Sequence, residues 1–302
     1  MAVRSDGRGG EGFRFRHLEK PEEFRQVGEV VRAAFGPEEQ AGLSPMLQRV
    51  LADNGGLVLG AFADIYLAGF SVAHLGWDGT TLYENSYLTV VRPEYQNHHL
   101  GFRLKAYQRD EVLKLGLGEV RWVFDPLQSR SAYLSIRRLG ATPDRYYPHY
   151  FGQLADEANR GLETDRLRAV WSLGAPRVEE RMAGRLPGRE DDAASWARAF
   201  AIVETEPGEH GLRVPTAVAE PEGARAHLEI PFDLGLIRAH EPGSLRRWRH
   251  AVRDAFRAAL DAGYVVDDFA VVSAEHERRS AYFLAPRPTP SGPPDVASTD
   301  RP

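Results

Sequence analysis

Residues 81–117 read TLYENSYLTVVRPEYQNHHLGFRLKAYQRDEVLKLGL, and their two halves follow different periods. The first half, through Val91, is rich in β-branched and aromatic residues with the alternation of a strand. Pro93 ends its ladder, because proline has no amide hydrogen to donate. In the second half Leu100, Leu104, Tyr107, Glu111, Val112 and Leu115 recur at helical spacing. This predicts an amphipathic helix with five of those six suited to burial. Between the halves PEYQNHH is a loop, and Gly101 permits close backbone approach as the helix begins. The first amides of a helix have no intrahelical acceptor and lie at the positive end of its dipole. Strand, loop and helix in this order make a place for a pyrophosphate held by main-chain donors.

Upstream, FRFRHLEK reads as a strand, followed by a helix from about Pro21 with Phe24, Val27, Val31, Ala34 and Phe35 on one face. A second short helix starts at the cap Ser44 with Pro45 in its first turn. After Gly55 and Gly56, LVLGAFAD, YLAGFSVAHLG and TLYENSYLTVV form an antiparallel meander. Downstream, EVRWVF is a strand, SRSAYLSIRRLG a short helix closed by Gly140, YYPHYFG a strand edge and DRLRAVWSL a further strand. The order predicts an α/β protein of α+β type, with a mixed, mostly antiparallel central sheet rather than a doubly wound one.

Past the polar stretch AGRLPGREDDAAS the pattern restarts with RAFAIVETE, RAHLEIPF, a helix from Ser244 to Ala262, and the strands YVVDDFAVV and AYFLA. This is a second, smaller α+β lobe. Its succession echoes residues 81–124, which reads equally well as a degenerate repeat of the first lobe or as independent use of a common pattern. Its loop PFDLGLIRAHEPG lacks the character of the first, and no cofactor is assigned there. The expected organisation is a disordered tail over 1–11, a ligand-binding domain over 12–176, the C-terminal lobe over 177–285 and a Pro-rich disordered tail over 286–302.

The chain has 302 residues, 42% hydrophobic and 27% charged, with a net charge of -5 and no cysteine. The acid balance gives no basic footprint for nucleic acid, and no apolar run approaches the roughly 20 residues a membrane helix needs. Without a secretory apolar segment near Met1, a cytoplasmic location is the expectation. Thiolate nucleophiles, disulfides and Cys-ligated zinc are excluded. The histidines have no HExxH or HxxxH spacing, so adjacent His98 and His99 read as loop residues and no metal is expected. Arginine is abundant, whereas lysine occurs only at Lys20, Lys105 and Lys114.

The loop from Gln96 to Gly101 resembles the Q/R-x-x-G-x-G/A signature of the GNAT superfamily, with Gln96, Leu100 and Gly101 in place and His99 where the first glycine stands. The run WVFDPLQSRSAYLSIRRLGA, then YFG and ANRGLETDRL, resembles a two-lobed bacterial group of predicted GNAT acetyltransferases, over about residues 81–182. That group usually has His at the position of Tyr87 and Asn at those of Ser131 and Ser135. Some members N-succinylate amino acids. The resemblance implies a GNAT fold, acetyl-CoA or another acyl-CoA as co-substrate, and transfer of a short acyl group to an amine of a small molecule such as an amino acid. A non-catalytic acyl-CoA-binding or interaction protein retaining the fold is the alternative.

Amide formation from a thioester requires loss of a proton from the amine, polarisation of the carbonyl and protonation of the thiolate. Glu84, placed with Ser86, Leu88 and Val90 by strand alternation, is the candidate base; a solvated strand glutamate is its other reading. Tyr133 is the candidate acid, one turn before Ile136, where the family often has tyrosine; a packed aromatic is its other reading. The resemblance implies cofactor contacts at Leu88, Val90, Gln96, Asn97, His98, His99, Leu100, Gly101, Phe102 and Ser129. Asp125 could face an acceptor's ammonium and Arg130, Arg145 or Arg166 its carboxylate. Tyr146, Tyr147, Tyr150 and Phe151 read as packing between the lobes, or as a stacking platform.

Overall fold

The structure, a computed structural model, describes residues 12–36, 43–96, 98–154, 161–274 and 277–288. Asn97, the residues 1–11 and most of the expected C-terminal tail lie outside the described residues. The chain begins with β1 (Phe13–His17), α1 (Pro21–Phe35) and α2 (Pro45–Asp53). Pro21 opens α1 where a missing amide hydrogen costs nothing. Glu23 accepts from the Glu19 and Lys20 amides at 2.9 and 3.2 Å and from Arg16 at 2.7 Å. Phe24, Val27, Val30 and Val31 are buried, whereas Phe35, expected on the same face, is exposed at the helix end. Ser44 caps α2, its Oγ accepting from the Leu47 amide at 3.1 Å.

There follow β2 (Leu57–Ala63), β3 (Tyr66–Trp77), β4 (Leu82–Val91), α3 (Leu100–Lys114), β5 (Glu119–Phe124), α4 (Ser129–Ala132), β6 (Thr142–Tyr147) and β7 (Arg166–Ser172). The seven strands form one sheet in the order β1-β2-β3-β4-β5-β7-β6. Its one parallel neighbour pair is β4 with β5; the other pairs are antiparallel. This is the mixed, mostly antiparallel sheet that the element order predicts. Phe70 and Val72 of β3 enter a core with α1, while Ala68, the extra residue of a bulge against β2, packs with Leu100 and Leu104 of α3 on the opposite face. α4 runs directly into a π-helical turn over Tyr133–Arg138, and Gly140 follows at φ 76°. The strand edge expected in YYPHYFG begins earlier, at Thr142, and gives way to a turn after Tyr147.

The polar stretch after β7 is not a bare linker: it carries α5 (Pro176–Met182) and α6 (Arg189–Arg198). Strand RAFAIVETE is divided at Ile202 into β8 (Phe200–Ala201) and β9 (Val203–Pro207), which join different sheets. β9 pairs with β10 (Arg213–Val218). The other C-terminal sheet has the order β12-β13-β11-β8, with β11 (Ala226–Ile230), β12 (Tyr264–Ala274) and β13 (Glu277–Pro286). α7 (Leu234–His240) and α8 (Leu245–Asp261) lie between β11 and β12 in sequence. α8 buries Leu245, Trp248, Val252 and Phe256. A single buried cluster joins Trp122, Phe124, Ile136 and Trp171 of the first part to Trp248, Phe256, Phe269 and Tyr282 of the second. Among the described residues no helix is long and apolar enough to cross a membrane.

Candidate functional site

The β4–β5 pair is short. Only Glu84 with Val120 and Asn85 with Arg121 are in register, and from Ser86 and Trp122 onward the two strands part. β4 itself changes face at this point. Against β3, Ser86 pairs with Ala73 and Leu88 with Val72, leaving Tyr87 as the extra residue of a bulge. Glu84 and Ser86 therefore face α3, while Leu88 and Val90 face the α1 core. The expectation that all four share a face is corrected by that bulge, because one extra residue reverses the alternation.

Glu84 is fully buried, and neither of its carboxylate oxygens has a hydrogen-bond partner among the described residues. Burial away from water pushes its carboxyl up to about 7, opposed only in part by the pull of the Leu57 backbone amide, which falls short of hydrogen-bond geometry. The solvated-strand reading of Glu84 does not hold.

The spacing along α3 predicts burial of five of Leu100, Leu104, Tyr107, Glu111, Val112 and Leu115. The buried residues of the helix are Leu100, Leu104, Lys105, Gln108 and Val112, while Leu115 is exposed. Lys105 donates from Nζ to Ser86 Oγ at 2.6 Å and to Gln108 Oε1 at 3.1 Å, and its Nζ lies 4.3 Å from the centroid of the Trp122 ring. Trp122 donates from Nε1 to Ser135 Oγ at 3.1 Å. No carboxylate pairs with Lys105 among the described residues, and burial pulls its ammonium down to about 7. Sequence periodicity missed Lys105 and Gln108 because it weights apolar residues; the available signal was that Lys105 is one of only three lysines in an arginine-rich chain.

At the other end of the gap, α3 starts at His99, which has φ 54° and supplies no side-chain cap. A left-handed residue is where glycine is least strained, so the departure from the signature falls where the backbone favours glycine. The first turn of α3 has no acidic residue. A Cβ on Gly101 would meet only Leu134 Cδ2, at 3.8 Å, so the protein itself leaves room there. The Arg138 guanidinium stacks 4.8 Å from the centroid of the Phe102 ring and makes no ion pair among the described residues. Half-buried Arg103 lies over Phe15, with its inner Nη2 lacking a hydrogen-bond partner. Neither arginine was singled out by the sequence. The helix start has no side-chain cap, and Arg138 beside Phe102 adds a cation near its first turn, an arrangement that fits a pyrophosphate.

The remaining candidates are scattered. His98 and His99 are exposed, and exposed Gln96 turns its Nε2 back to the Val91 carbonyl at 3.3 Å. Tyr133 is half-buried against the main core, and Ile136 is wholly inside it. Ser129 is buried with its Oγ 2.8 Å from Ser280 Oγ. Asp125 receives both nitrogens of Arg249, at 2.8 and 2.9 Å, so its carboxylate is held by the protein rather than presented to an ammonium. Arg166 donates to the Asp165 carbonyl and lies over Phe151. Tyr146 packs 5.4 Å from Phe256 of α8, between the two sheets, while Tyr150 and Phe151 stack edge-on and half-exposed. No cluster of three or more metal-ligating side chains occurs among the described residues.

A half-open pocket of about 240 Å³ lies elsewhere, bounded by Arg213, Glu229, Phe232, Leu236 and Arg279 of the C-terminal part. It shares no residue with the β4–α3 corner, and nothing in its lining matches thioester chemistry.

No family model matches this sequence, and no curated protein does. Among solved structures, the chain is similar to the ribosomal-protein-S18-alanine N-acetyltransferase from Escherichia coli, at 16% identity over 54% of this chain and 97% of that one, with a TM-score of 0.42. It is similar to aminoglycoside 6'-acetyltransferase type Ii at 18% identity, over 53% of this chain and 97% of that one, with a TM-score of 0.43. A GNAT family acetyltransferase from Elizabethkingia anophelis with acetyl-CoA bound gives 15% identity, over 54% of this chain and 99% of that one, with a TM-score of 0.40. These likenesses are distant.

Proposed function

We propose that this chain is an acyl-CoA-dependent N-acyltransferase of GNAT type, transferring an acetyl or other short acyl group to the amine of a small molecule. The observation that carries the reading is the β4–β5 pair, which opens after two residue pairs beside the uncapped start of α3. The α3 amides with Arg138 suit the pyrophosphate, and the unpaired inner edge of β4 suits the amides of the pantetheine arm. When bound, the acyl-CoA supplies an activated thioester carbonyl.

The chain's own groups supply the rest. Glu84 is the proposed base, because a carboxyl that titrates near neutrality can take a proton and release it at the same pH. Main-chain amides beside the Tyr87 bulge would polarise the carbonyl. Tyr133 is the proposed donor to the leaving thiolate. The C-terminal part would form the acceptor side, holding the Asp125 and α4 corner through Arg249 and Ser280. An amino acid remains the proposed acceptor class, and succinyl one of the acyl groups to test.

Thiol release, followed with acetyl-CoA and succinyl-CoA across a panel of amines, tests this reading. Amine-dependent release from at least one donor is the expected result. Coenzyme A binding without release would make the chain a binder that retains the fold.

A further inference from the structure

The half-open pocket of about 240 Å³ lies where β11 runs into α7, on the loop PFDLGLIRAHEPG that the acyl-CoA reading leaves unused. Small-molecule sites combine apolar walls with a few placed polar groups. Here one wall comes from Phe232 and Leu236, and Leu236 is 45% exposed, so part of that wall has no protein cover among the described residues. The charges around it are of two kinds. Buried Glu229 is satisfied: it accepts from Arg279 Nε at 2.9 Å and from Thr205 Oγ1 at 2.8 Å. The others lack ionic partners. Arg213 donates to Thr205 Oγ1 at 3.0 and 2.8 Å, and the Arg278 guanidinium lies 4.3 Å from the centroid of the Phe232 ring; neither arginine makes an ion pair among the described residues. Asp233 spends Oδ1 on the Gly235 and Leu236 amides, and its Oδ2, like the Glu277 carboxylate, takes no hydrogen bond among the described residues.

Two guanidiniums and two carboxylates thus border one apolar-walled pocket without pairing with each other. An anion bound there would meet Asp233 and Glu277 as well as the arginines, and a cation would meet the arginines as well as the carboxylates. A zwitterion can satisfy both signs at once. The volume, below the roughly 300–1,000 Å³ of sites for drug-sized ligands, is too small for an acyl-CoA or a peptide. We infer that this pocket binds a free α-amino acid with an apolar side chain of about leucine's size. Its carboxylate meets Arg213 and Arg278, its ammonium meets Asp233 and Glu277, and its side chain lies on Phe232 and Leu236. The pocket shares no residue with the β4–α3 corner, so its occupant is held rather than acylated, and the inference stands independently of acyl transfer.

Calorimetric titration of L-leucine into the full chain, with no acyl-CoA present, tests it. Saturable binding is expected. It should weaken at least about tenfold for isoamylamine, which lacks the carboxylate, and for 4-methylpentanoate, which lacks the ammonium. Arg278→Ala and Leu236→Asp alter exposed side chains, so both variants should fold with the parent's unfolding midpoint. Each should weaken leucine binding at least about tenfold. No saturable binding of leucine to the folded parent overturns the inference. Equal leucine affinity in the parent and both variants also overturns it, because the amino acid then sits elsewhere, as on the acceptor side of the acyl-transfer site. Binding of 4-methylpentanoate as tight as that of leucine overturns the zwitterion assignment.

Discussion

Glu84 sits between a strand and a helix with neither oxygen hydrogen-bonded, and such a carboxyl is more stable protonated. Its folded-state value, about 7, lies above the unfolded 4.5. The stability it permits is therefore fully present below the unfolded value and is lost as pH rises through about 7. Glu84→Gln removes that titration. Denaturant unfolding should show the variant gaining on the parent by on the order of 3 kcal/mol between pH 5 and pH 8.5. A difference that does not change with pH would mean the carboxyl reaches water. Glu84 was legible as the single carboxylate in its strand run, but its burial was not. Period-2 alternation does not say which face a helix covers, and nothing in NSYLT announces the bulge at Tyr87. Lys105 and Gln108 were hidden for a different reason: each is polar, and only its contacts make it a buried residue.

At the scale of elements, the C-terminal helix α8 is tied to the end of β5 by Arg249, which is wholly buried and bidentate to Asp125. Arg253, one turn on, grips Asp165 at 2.7 and 2.8 Å. The π-helical turn is tied in the same way, Arg137 holding Asp192 of α6 and Asp268 of β12. Such pairs contribute little net stability, but removing one partner strands the other in the interior. Arg249→Met should lower unfolding free energy by about 3–5 kcal/mol, and adding Asp125→Leu should restore much of it. Urea denaturation of the single and double variants checks this; equal or additive losses would mean the pair is not coupled. Elements with strong periods, such as α1, α8 and the β2–β4 meander, were readable from the chain. α5 and α6 were not: α5 ends just before the polar AGRLPGREDDAAS and α6 begins inside it, and both are held by ion pairs to distant residues, Arg177 with Asp268 and Asp192 with Arg137. The partner of Asp125 was equally invisible, since nothing local marks a contact across so much chain.

Across the whole molecule, the two larger sheets differ in one respect that bears on function. In the first, β4 and β5 are parallel neighbours around α3 and part after two residue pairs. In the second, β13 stands between β11 and β12 and pairs with both, so the corresponding gap is closed by a strand. The proposed acyl-CoA arm would therefore use the β4 edge at that gap, with the second part of the chain bracing the first. Binding at the β4–α3 corner is the claim on which the account stands, and calorimetric titration of acetyl-CoA into the folded parent and Gly101→Val tests it most directly. The protein leaves room for a side chain at Gly101, so the variant should fold. The predicted result is saturable binding to the parent, weakened at least about tenfold in the variant, where the branched side chain crowds the phosphate. No binding to the folded parent, or equal affinity in the two proteins, would contradict it.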